Sequence, residues 1–175
     1  VLDLARRFRV CVKTAPGFPP SHLPAGWCAA WIGTRHGSAE AFLCSWPALP
    51  ADRRACLVTD EAVEFVDDDG LGTAPSSPPG DYLHEPAQIV PNAGLVDALA
   101  RRAGISRLAP DAHWLTSSEP IDPSKRTSLL TSYRILDVLP GAPKAMRAAL
   151  RSRGVTDVTI KSRGSRVDAA SWRAR

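Results

Sequence analysis

The sequence predicts an α+β fold, and three features of its pattern support this prediction. The first third of the 175 residues holds short apolar or alternating runs, which are typical of strands. Beyond residue 81 the apolar residues recur at helical spacing. The last third contains an alternating run, then a run with helical spacing, and then a second alternating run. We therefore expect a strand-rich first part, a helical connector and a small α/β module.

The first part contains five candidate strands. Phe8, Val10 and Val12 alternate with polar neighbours, as expected of a strand that buries one face. Two apolar runs then flank a short turn, which is the spacing of a hairpin. A loop rich in proline and glycine separates the first strand from this hairpin. The predicted strands cover residues 8–14, 27–33, 39–46, 55–59 and 62–66.

An acidic segment rich in glycine, proline and serine follows at residues 67–80. This composition supplies turns and few core residues, so it predicts a linker or an exposed loop. It is also the most favourable domain boundary in the chain. The predicted division is therefore residues 1–66, a linker at 67–80, and residues 81–175.

Helix signals appear after the linker. Leu95, Leu99 and Ala103 fall on one side of a helix predicted at residues 93–103, and Gly104 follows where a helix-ending glycine belongs. The pattern further downstream alternates between strand and helix periods. It predicts a short strand and loop at 113–124, a strand at 129–140, a helix at 142–154, a strand at 155–164, and a helix that begins at Asp168.

The positive charge is unevenly distributed along the chain. The net charge of the whole chain is +4. Residues 121–175 contain 12 Lys and Arg against 4 Asp, a net charge of +8, whereas residues 1–120 contain 10 basic against 14 acidic residues, a net charge of −4. This asymmetry predicts that the C-terminal part meets a polyanion, with RNA as the expected partner.

The sequence excludes some classes of protein. No run approaches the roughly 18 apolar residues that a membrane span needs, and the first residues lack the apolar core of a secretory signal. We therefore expect a cytoplasmic protein with no membrane partner. The chain opens on Val1 with a segment already patterned like folded structure, so we also expect a piece of a longer protein.

The cysteines do not predict a metal site. The chain has four of them, Cys11, Cys28, Cys44 and Cys56. None forms a C-x-x-C pair, and three lie in apolar runs, so we expect core thiols in a reducing compartment. The alternative is a zinc site completed by His22 or His36, although the usual ligand spacing is missing.

The C-terminal cations form the strongest candidate site. Lys144, Arg147 and Arg151 recur at spacings of three and four and therefore share one face of the predicted helix. The next predicted strand carries two further cations to a glycine, where a ligand can approach the backbone closely. Such groups neutralise nucleic-acid phosphates, although a merely solvated face has the same pattern. The candidate RNA-binding residues are Lys144, Arg147, Arg151, Lys161, Arg163 and Gly164.

A second candidate lies directly after the linker. Tyr82, His84 and Glu85 combine an aromatic ring with two titratable groups, a pattern that also occurs at functional sites. The competing interpretation is structural: Tyr82 and Leu83 pack on the first part of the chain, and the polar residues cap a helix that begins near Pro86. We expect the structural role.

Four segments of the chain resemble motifs of one family. Residues 133–168 read YRILDVLPGAPKAMRAALRSRGVTDVTIKSRGSRVD, in which a strand, a helix rich in Leu and Arg, and a strand ending in IKSRG follow one another. This segment resembles the THUMP-like C-terminal domain of bacterial class I methyltransferases that use S-adenosylmethionine. The likeness extends from about residue 8 to residue 172. The other similar segments are VCVKTAPGFP at 10–19, GDYLHEPAQIVPNAGLVDALA at 80–100 and WLTSSEP at 114–120.

The resemblance implies both a fold and a function. Residues 1–66 would be the C-terminal strands of a Rossmann-like methyltransferase domain, and residues 81–175 a helical connector and a THUMP-like module. In proteins with THUMP domains this module helps to present RNA to a modifying active site. The resemblance therefore implies an RNA methyltransferase acting on tRNA or rRNA, with S-adenosylmethionine as the cofactor of the intact protein.

Two motifs that such methyltransferases carry are missing from this sequence. Class I methyltransferases bind the cofactor with an acidic-x-Gly-x-Gly loop between a strand and a helix, because glycine lets the backbone approach the cofactor. The nearest match, DDDGLG at residues 67–72, lies in the predicted linker. An NPPY-like catalytic loop is also missing. We therefore predict no catalytic residue in this chain, no activity of the chain alone, and a missing N-terminal methyltransferase segment as its partner.

Two other functions stay open at this point. The chain could be a stand-alone nucleic-acid-binding module, or a protein-interaction domain whose basic face meets an acidic partner. A strong dependence of RNA affinity on salt would favour either nucleic-acid function over the interaction domain.

Overall fold

The computed structural model describes residues 1–139 and 141–161. The chain forms two compact units, Val1–Arg134 and Ile135–Arg175. The larger unit contains two β-sheets and several short helices, and the described part of the smaller unit contains a single helix. The α+β class predicted from the sequence is therefore confirmed.

A five-stranded sheet forms in the first part of the larger unit. Its strands are β1 (Cys11–Thr14), β2 (Cys28–Thr34), β3 (Gly37–Cys44), β4 (Arg53–Val58) and β5 (Val63–Asp67). They lie in the order β1-β3-β2-β4-β5, and neighbouring strands are antiparallel except β2 and β4, which are parallel. The five predicted strands are confirmed, with ends that differ by up to three residues.

A second, four-stranded sheet follows. Its strands are β6 (Tyr82–Pro86), β7 (Ser106–Arg107), β8 (Leu115–Ser117) and β9 (Leu130–Arg134), in the order β7-β8-β6-β9, with all neighbours antiparallel. The predicted helix cap before Pro86 is wrong, because β6 occupies this segment. Two strands from later in the chain supply its backbone partners, and the local sequence does not reveal them.

The helices are short. The described residues contain α1 (Leu2–Ala5), α2 (Ile89–Asn92), α3 (Val96–Ala103) and α4 (Pro143–Ser152). Gly94, with a φ of 68°, separates α2 from α3, so the helix predicted from residue 93 begins three residues later, at Val96. Gly104 adopts a left-handed φ of 71° and ends α3 as predicted. No helix within residues 1–139 and 141–161 has the length and apolar character that crossing a bilayer requires.

One hydrophobic core serves both sheets of the larger unit. Trp31 and Leu57 of the first sheet belong to the same buried cluster as Leu99 of α3, Leu115 of β8 and Leu129, and each is 0% exposed. Residues on both sides of the predicted linker therefore share a core, and the compact unit extends to residue 134. The assignment of residues 1–66 to a methyltransferase domain and of 81–175 to a THUMP-like part stays a prediction.

The smaller unit differs from the pattern that predicts strands at 129–140 and 155–164. The first of these strands ends early, since β9 stops at Arg134. Residues 155–161 form no strand, and Val155 and Val158 are 39% and 41% exposed. Alternation becomes a strand only when a partner supplies backbone hydrogen bonds, and no described strand pairs with these residues. The remaining residues of that predicted strand, and the helix predicted from Asp168, lie outside the described residues.

Candidate nucleic-acid interface

The candidate phosphate-binding cations lie on α4, and the local sequence explains where this helix starts and ends. Pro143 occupies the first helical turn, where its fixed φ is favourable and its missing N–H is not needed. At the other end Gly154 adopts a φ of 67°. The N–H groups of Gly154 and Val155 donate to the carbonyls of Arg151 (3.0 Å) and Leu150 (3.0 Å). The helix predicted at 142–154 is therefore confirmed within two residues.

The cations occupy one face of α4. Lys144, Arg147 and Arg151 follow one another at helical spacing, with Lys144 and Arg151 exposed and Arg147 half-buried. Met146 and Leu150 are half-buried on another face. No residue of α4 is fully buried. The three cations are thus grouped on one accessible side of an amphipathic helix.

The helix dipole favours only some of the cations on α4. A cation in the last turn, such as Arg151, interacts favourably with the helix dipole, by about 0.3–1 kcal/mol at an exposed site. Lys144 lies in the first turn, where the same dipole disfavours a cation and where α4 has no acidic residue. The helix dipole therefore gives Lys144 no stabilisation, unlike Arg151.

Arg153, directly after α4, forms an ion pair within the smaller unit. Its guanidinium pairs with the Asp137 carboxylate and also donates to the Ala149 carbonyl (3.2 Å). The two charged side chains are 43% and 39% exposed, so the pair contributes at most about 1 kcal/mol. The charge of Arg153 is balanced locally, and we leave this residue out of the candidate interface. Asp137 and Arg153 lie 16 residues apart, so no helical or strand spacing in the sequence predicts their ion pair.

The other predicted interface residues are only partly placed. Lys161 is exposed and lies outside any strand, contrary to the predicted strand that would carry it. Arg163 and Gly164 lie outside the described residues. The structure thus brings together Lys144, Arg147 and Arg151 on α4, and RNA contact by any of the six residues stays a prediction.

The acidic segment at residues 67–72, whose sequence is the nearest match to a cofactor-binding loop, has another role in the structure. Each of its carboxylates is held by an arginine, in the pairs Asp67–Arg54 (2.6 Å), Asp68–Arg53 (2.5 Å) and Asp69–Arg101 (2.6 Å). The hydrogen bond from the Arg101 guanidinium is the main reason that the pKa of Asp69 is lowered to about 2. These carboxylates are engaged within the protein, so they are poorly placed to bind the ribose hydroxyl groups of S-adenosylmethionine.

The backbone of this segment does not fit the cofactor either. Gly70 and Gly72 have φ values of 68° and 72°, but an irregular stretch follows them in place of a helix. Ala74 is buried in the core, and its N–H donates to Oδ1 of Asp97 (2.8 Å). Among the residues that the structure describes, no three His, Cys, Asp or Glu side chains cluster closely enough to hold a metal ion.

The second candidate, His84, is buried inside the second sheet. Its side chain is 0% exposed, with Nδ1 at 2.8 Å from Ser132 Oγ and Nε2 at 2.9 Å from Ser117 Oγ. The Ser117 hydroxyl donates to the Glu119 carbonyl (2.5 Å), so Nε2 donates to Ser117 and Nδ1 accepts from Ser132. Burial lowers the pKa of His84, which favours the neutral imidazole.

Tyr82 and Glu85 also have structural partners. The Tyr82 ring lies nearly parallel to the His84 ring, with centroids 6.4 Å apart. The Glu85 carboxylate accepts a hydrogen bond from the Tyr133 hydroxyl (3.1 Å). Because side chains alternate along a strand, His84 and Glu85 lie on opposite faces of β6. His84 and Glu85 thus tie β6 to its neighbouring strands instead of capping a helix, and the expected packing of Tyr82 and Leu83 on the first part of the chain stays a prediction.

Comparison with known proteins supports the resemblance at the C-terminus. Residues 130–175 match the family described as THUMP domain-like. The fold of the chain is similar to the crystal structure of a "putative methyltransferase from Porphyromonas gingivalis W83", with a TM-score of 0.59 and 12% sequence identity. The similarity covers 82% of the present chain and 39% of that protein, so the present chain spans well under half of its length. Curated protein sequences give no match.

The two comparisons differ in what they establish. At 12% identity, the structural similarity shows a shared fold alone. The family match begins within β9 and includes α4 with its three cations. Residues 130–175 are therefore similar to the THUMP domain-like family, in the segment where the sequence motifs predict this resemblance.

Proposed function

We propose that this chain is the C-terminal, RNA-presenting part of an S-adenosylmethionine-dependent methyltransferase that acts on tRNA or rRNA in the bacterial cytoplasm. The THUMP-like match over residues 130–175 supports the RNA-presenting role, and the fold similarity to the Porphyromonas gingivalis protein supports the methyltransferase context. The observation that carries the proposal is the row of cations along one face of α4, within the matched segment.

The spacing and chemistry of this face suit a phosphate backbone. From Lys144 to Arg151 the helix rises about 10 Å, a length over which a nucleic-acid strand presents about three phosphates. A guanidinium donates two parallel hydrogen bonds to phosphate oxygens, and an ammonium acts as a point charge. Contacts of this kind position a nucleic acid without reading its bases. The proposed role of the face is therefore to hold and orient RNA.

The methyltransferase part of the proposal concerns the first sheet. We assign residues 1–66 to the C-terminal strands of a Rossmann-like methyltransferase domain, whose cofactor and catalytic groups lie in a segment outside this chain. The face of β4 and β5 that points away from the core supports this assignment. Val58, Val63 and Phe65 neighbour one another on it and are 39%, 59% and 43% exposed. Adjacent exposed apolar side chains are typical of a surface that another protein segment covers.

The RNA affinity of the 175-residue chain tests the interface. We would measure fluorescence anisotropy with labelled tRNA and with an rRNA fragment, for the wild type and for a variant that combines Lys144→Glu, Arg147→Glu and Arg151→Glu. Charge reversal replaces three phosphate contacts by repulsion, so we expect affinity to fall on the order of tenfold or more. Circular dichroism would verify that α4 still forms.

A matched control separates this face from net charge. The variant combining Arg6→Glu, Arg7→Glu and Arg9→Glu makes the same change of charge at exposed residues outside the family match. We expect this control to keep most of its affinity. Equal losses in the two variants would mean that affinity follows net charge, and full binding by the α4 variant would overturn the interface.

Two further outcomes distinguish the alternative functions. Binding of an acidic protein through α4, without RNA binding, would favour an interaction domain. For the methyltransferase context, we would follow transfer of a labelled methyl group from S-adenosylmethionine to RNA by the intact protein. RNA binding without methyl transfer would instead support a stand-alone nucleic-acid-binding module.

A further inference from the structure

A row of three thiols crosses the first sheet. Cys11 of β1, Cys44 of β3 and Cys28 of β2 lie directly opposite one another in register. Their neighbours Val12 and Leu43 pack in the core, so by strand alternation the cysteines lie on the other face of the sheet. Of the expected core thiols, Cys28 is buried at 3% exposed, although on the face opposite the main core, whereas Cys44 and Cys56 are half-buried and Cys11 is exposed.

Cys11 and Cys44 are placed as disulfide partners are. Their Sγ atoms lie 3.6 Å apart, with the Cys44 thiol directed at the Cys11 sulfur. Opposite residues of antiparallel strands have Cα atoms about 4.5–5.5 Å apart, within the range of about 4.4–6.8 Å found in disulfides. The neighbouring residues Val10 and Ser45 hold β1 and β3 in this register. The Val10 N–H donates to Ser45 Oγ (2.9 Å), and the Val10 carbonyl accepts from the Ser45 N–H (3.0 Å).

Exposure distinguishes this pair from the third thiol of the row. Cys11 is exposed and lies on β1, an edge strand of the sheet. Cys28 is buried, and its thiol donates to the Trp46 carbonyl (3.2 Å). A small oxidant in solution therefore reaches Cys11 before Cys28, and the sulfur of Cys44 lies beside it.

We propose that Cys11 and Cys44 form a reversible disulfide by exchange with a low-molecular-weight disulfide of the glutathione type. First, the Cys11 thiol loses its proton and its sulfur attacks the small disulfide, which forms a mixed disulfide and releases one small thiolate. Next, the Cys44 thiol loses its proton and its sulfur attacks the Cys11 sulfur, which breaks the mixed bond and releases the second thiolate. The thiolates take up the two protons, so the cysteine pair is oxidised by two electrons and the small disulfide is reduced to two thiols.

The two sulfurs differ in reactivity. Burial, with the hydrogen bond to Cys11, raises the pKa of Cys44 to about 12. Burial, the largest cause, and the neighbouring Cys28 still raise the pKa of Cys44 once Cys11 is in the mixed disulfide, so the Cys44 thiolate is scarce at neutral pH and the second step is the slower one. We expect the mixed disulfide at Cys11 to accumulate at neutral pH and to resolve faster as the pH rises.

The bond would lock the edge of the first sheet. It ties β1 to β3 across a sequence separation of 33 residues. A cross-link of this span restricts the unfolded chain, and we expect it to raise the midpoint of thermal unfolding by about 5–10 °C. Oxidation thus stabilises the strand at this edge, and reduction releases it.

Peptide mapping of the 175-residue chain tests the proposal. After incubation with oxidised glutathione at mildly alkaline pH, we expect a peptide linked through Cys11 and Cys44 that dithiothreitol removes, together with the higher thermal midpoint. Cys28→Ser and Cys56→Ser should leave the link intact. Cys11→Ser should abolish it, and this exposed substitution should leave the thermal midpoint of the reduced protein unchanged.

A second variant separates the two chemical steps. Cys44→Ser should stop at the mixed disulfide on Cys11, because no neighbouring thiol is left in position to displace glutathione. A link between Cys28 and Cys44 in the wild type would overturn the proposal, as would a Cys11 adduct that persists at alkaline pH. Links between two copies of the chain, in place of the internal one, would overturn it as well.

Discussion

The buried imidazole of His84 makes the stability of the protein depend on pH just below neutrality. In the unfolded chain a histidine takes up a proton near pH 6.5, whereas burial lowers the pKa of His84 in the folded protein. Between these two values the unfolded state binds more protons than the folded state. The free energy of unfolding is therefore highest above about pH 6.5 and falls as the pH decreases through this window. The slope is about 1.4 kcal/mol per pH unit while the states differ by one proton.

Replacing His84 by Phe should remove this dependence. The aromatic ring still fills the site, while the hydrogen bonds to Ser117 and Ser132 are lost. Each such bond contributes about 1 kcal/mol net, so we expect His84→Phe to lower the free energy of unfolding by about 1–3 kcal/mol above the window. Below about pH 6.5 the variant should show a flatter pH profile than the wild type.

Urea titrations followed by tryptophan fluorescence measure both quantities, over about pH 5 to pH 8. The acidic side chains titrate mostly below this range, since their ordinary pKa values are near 4. The exposed His36 offers a matched control, and His36→Gln should keep the wild-type profile. An unchanged slope in His84→Phe would refute a neutral, buried imidazole at this position. Equal flattening in His36→Gln would mean that the pH dependence is not specific to His84.

Three other substitutions test separate parts of the fold. The ion pair of Asp69 supplies stability that is present above the ordinary pKa of this carboxyl, 3.8, and is lost as the pH falls toward 2. Asp69→Asn should therefore show a smaller acid-induced drop in thermal midpoint than the wild type, and an equal drop would contradict this. In Gly80→Ala the new Cβ would lie too close to the Ser117 carbonyl oxygen, so the free energy of unfolding from urea titrations should fall by about 1–3 kcal/mol. In Gly17→Ala the new Cβ meets open space and the substitution should be nearly neutral, so similar losses in the two variants would refute the crowding at Gly80. The guanidinium of Arg107, a residue that is 9% exposed, binds the Asp97 carboxylate (2.9 Å), whose side chain is 23% exposed. Arg107→Met should therefore cost about 3 kcal/mol, and adding Asp97→Asn should recover part of this loss; strictly additive losses would argue against coupling.

Elements with a strong local pattern could be predicted from the sequence. The apolar runs of β2 and β3 and the turn between them indicate a hairpin, and the structure contains it. Gly104 could be read as the end of α3, because the left-handed conformation there favours glycine. The faces of α4 follow directly from the spacing of Lys144, Arg147 and Arg151.

Features that depend on distant partners could not be predicted in this way. β6 exists because Tyr82 meets Ser117 on one side and Arg134 on the other. Residues 155–161 show the converse, since their alternation has no partner strand among the described residues. The arginine partners of the acidic segment, and the register that brings Cys11 to Cys44, likewise arise only when separate strands and helices assemble.

The salt dependence of RNA affinity tests the role of α4 most directly. Each phosphate that a cation neutralises contributes about 0.7 to 0.9 to the slope of log affinity against log salt concentration. We would compare the wild type with a variant that combines Lys144→Gln, Arg147→Gln and Arg151→Gln. If these side chains contact RNA phosphates, the slope of the variant will be shallower by about 2 to 3. An identical slope in the two proteins would contradict a phosphate-binding face on this helix.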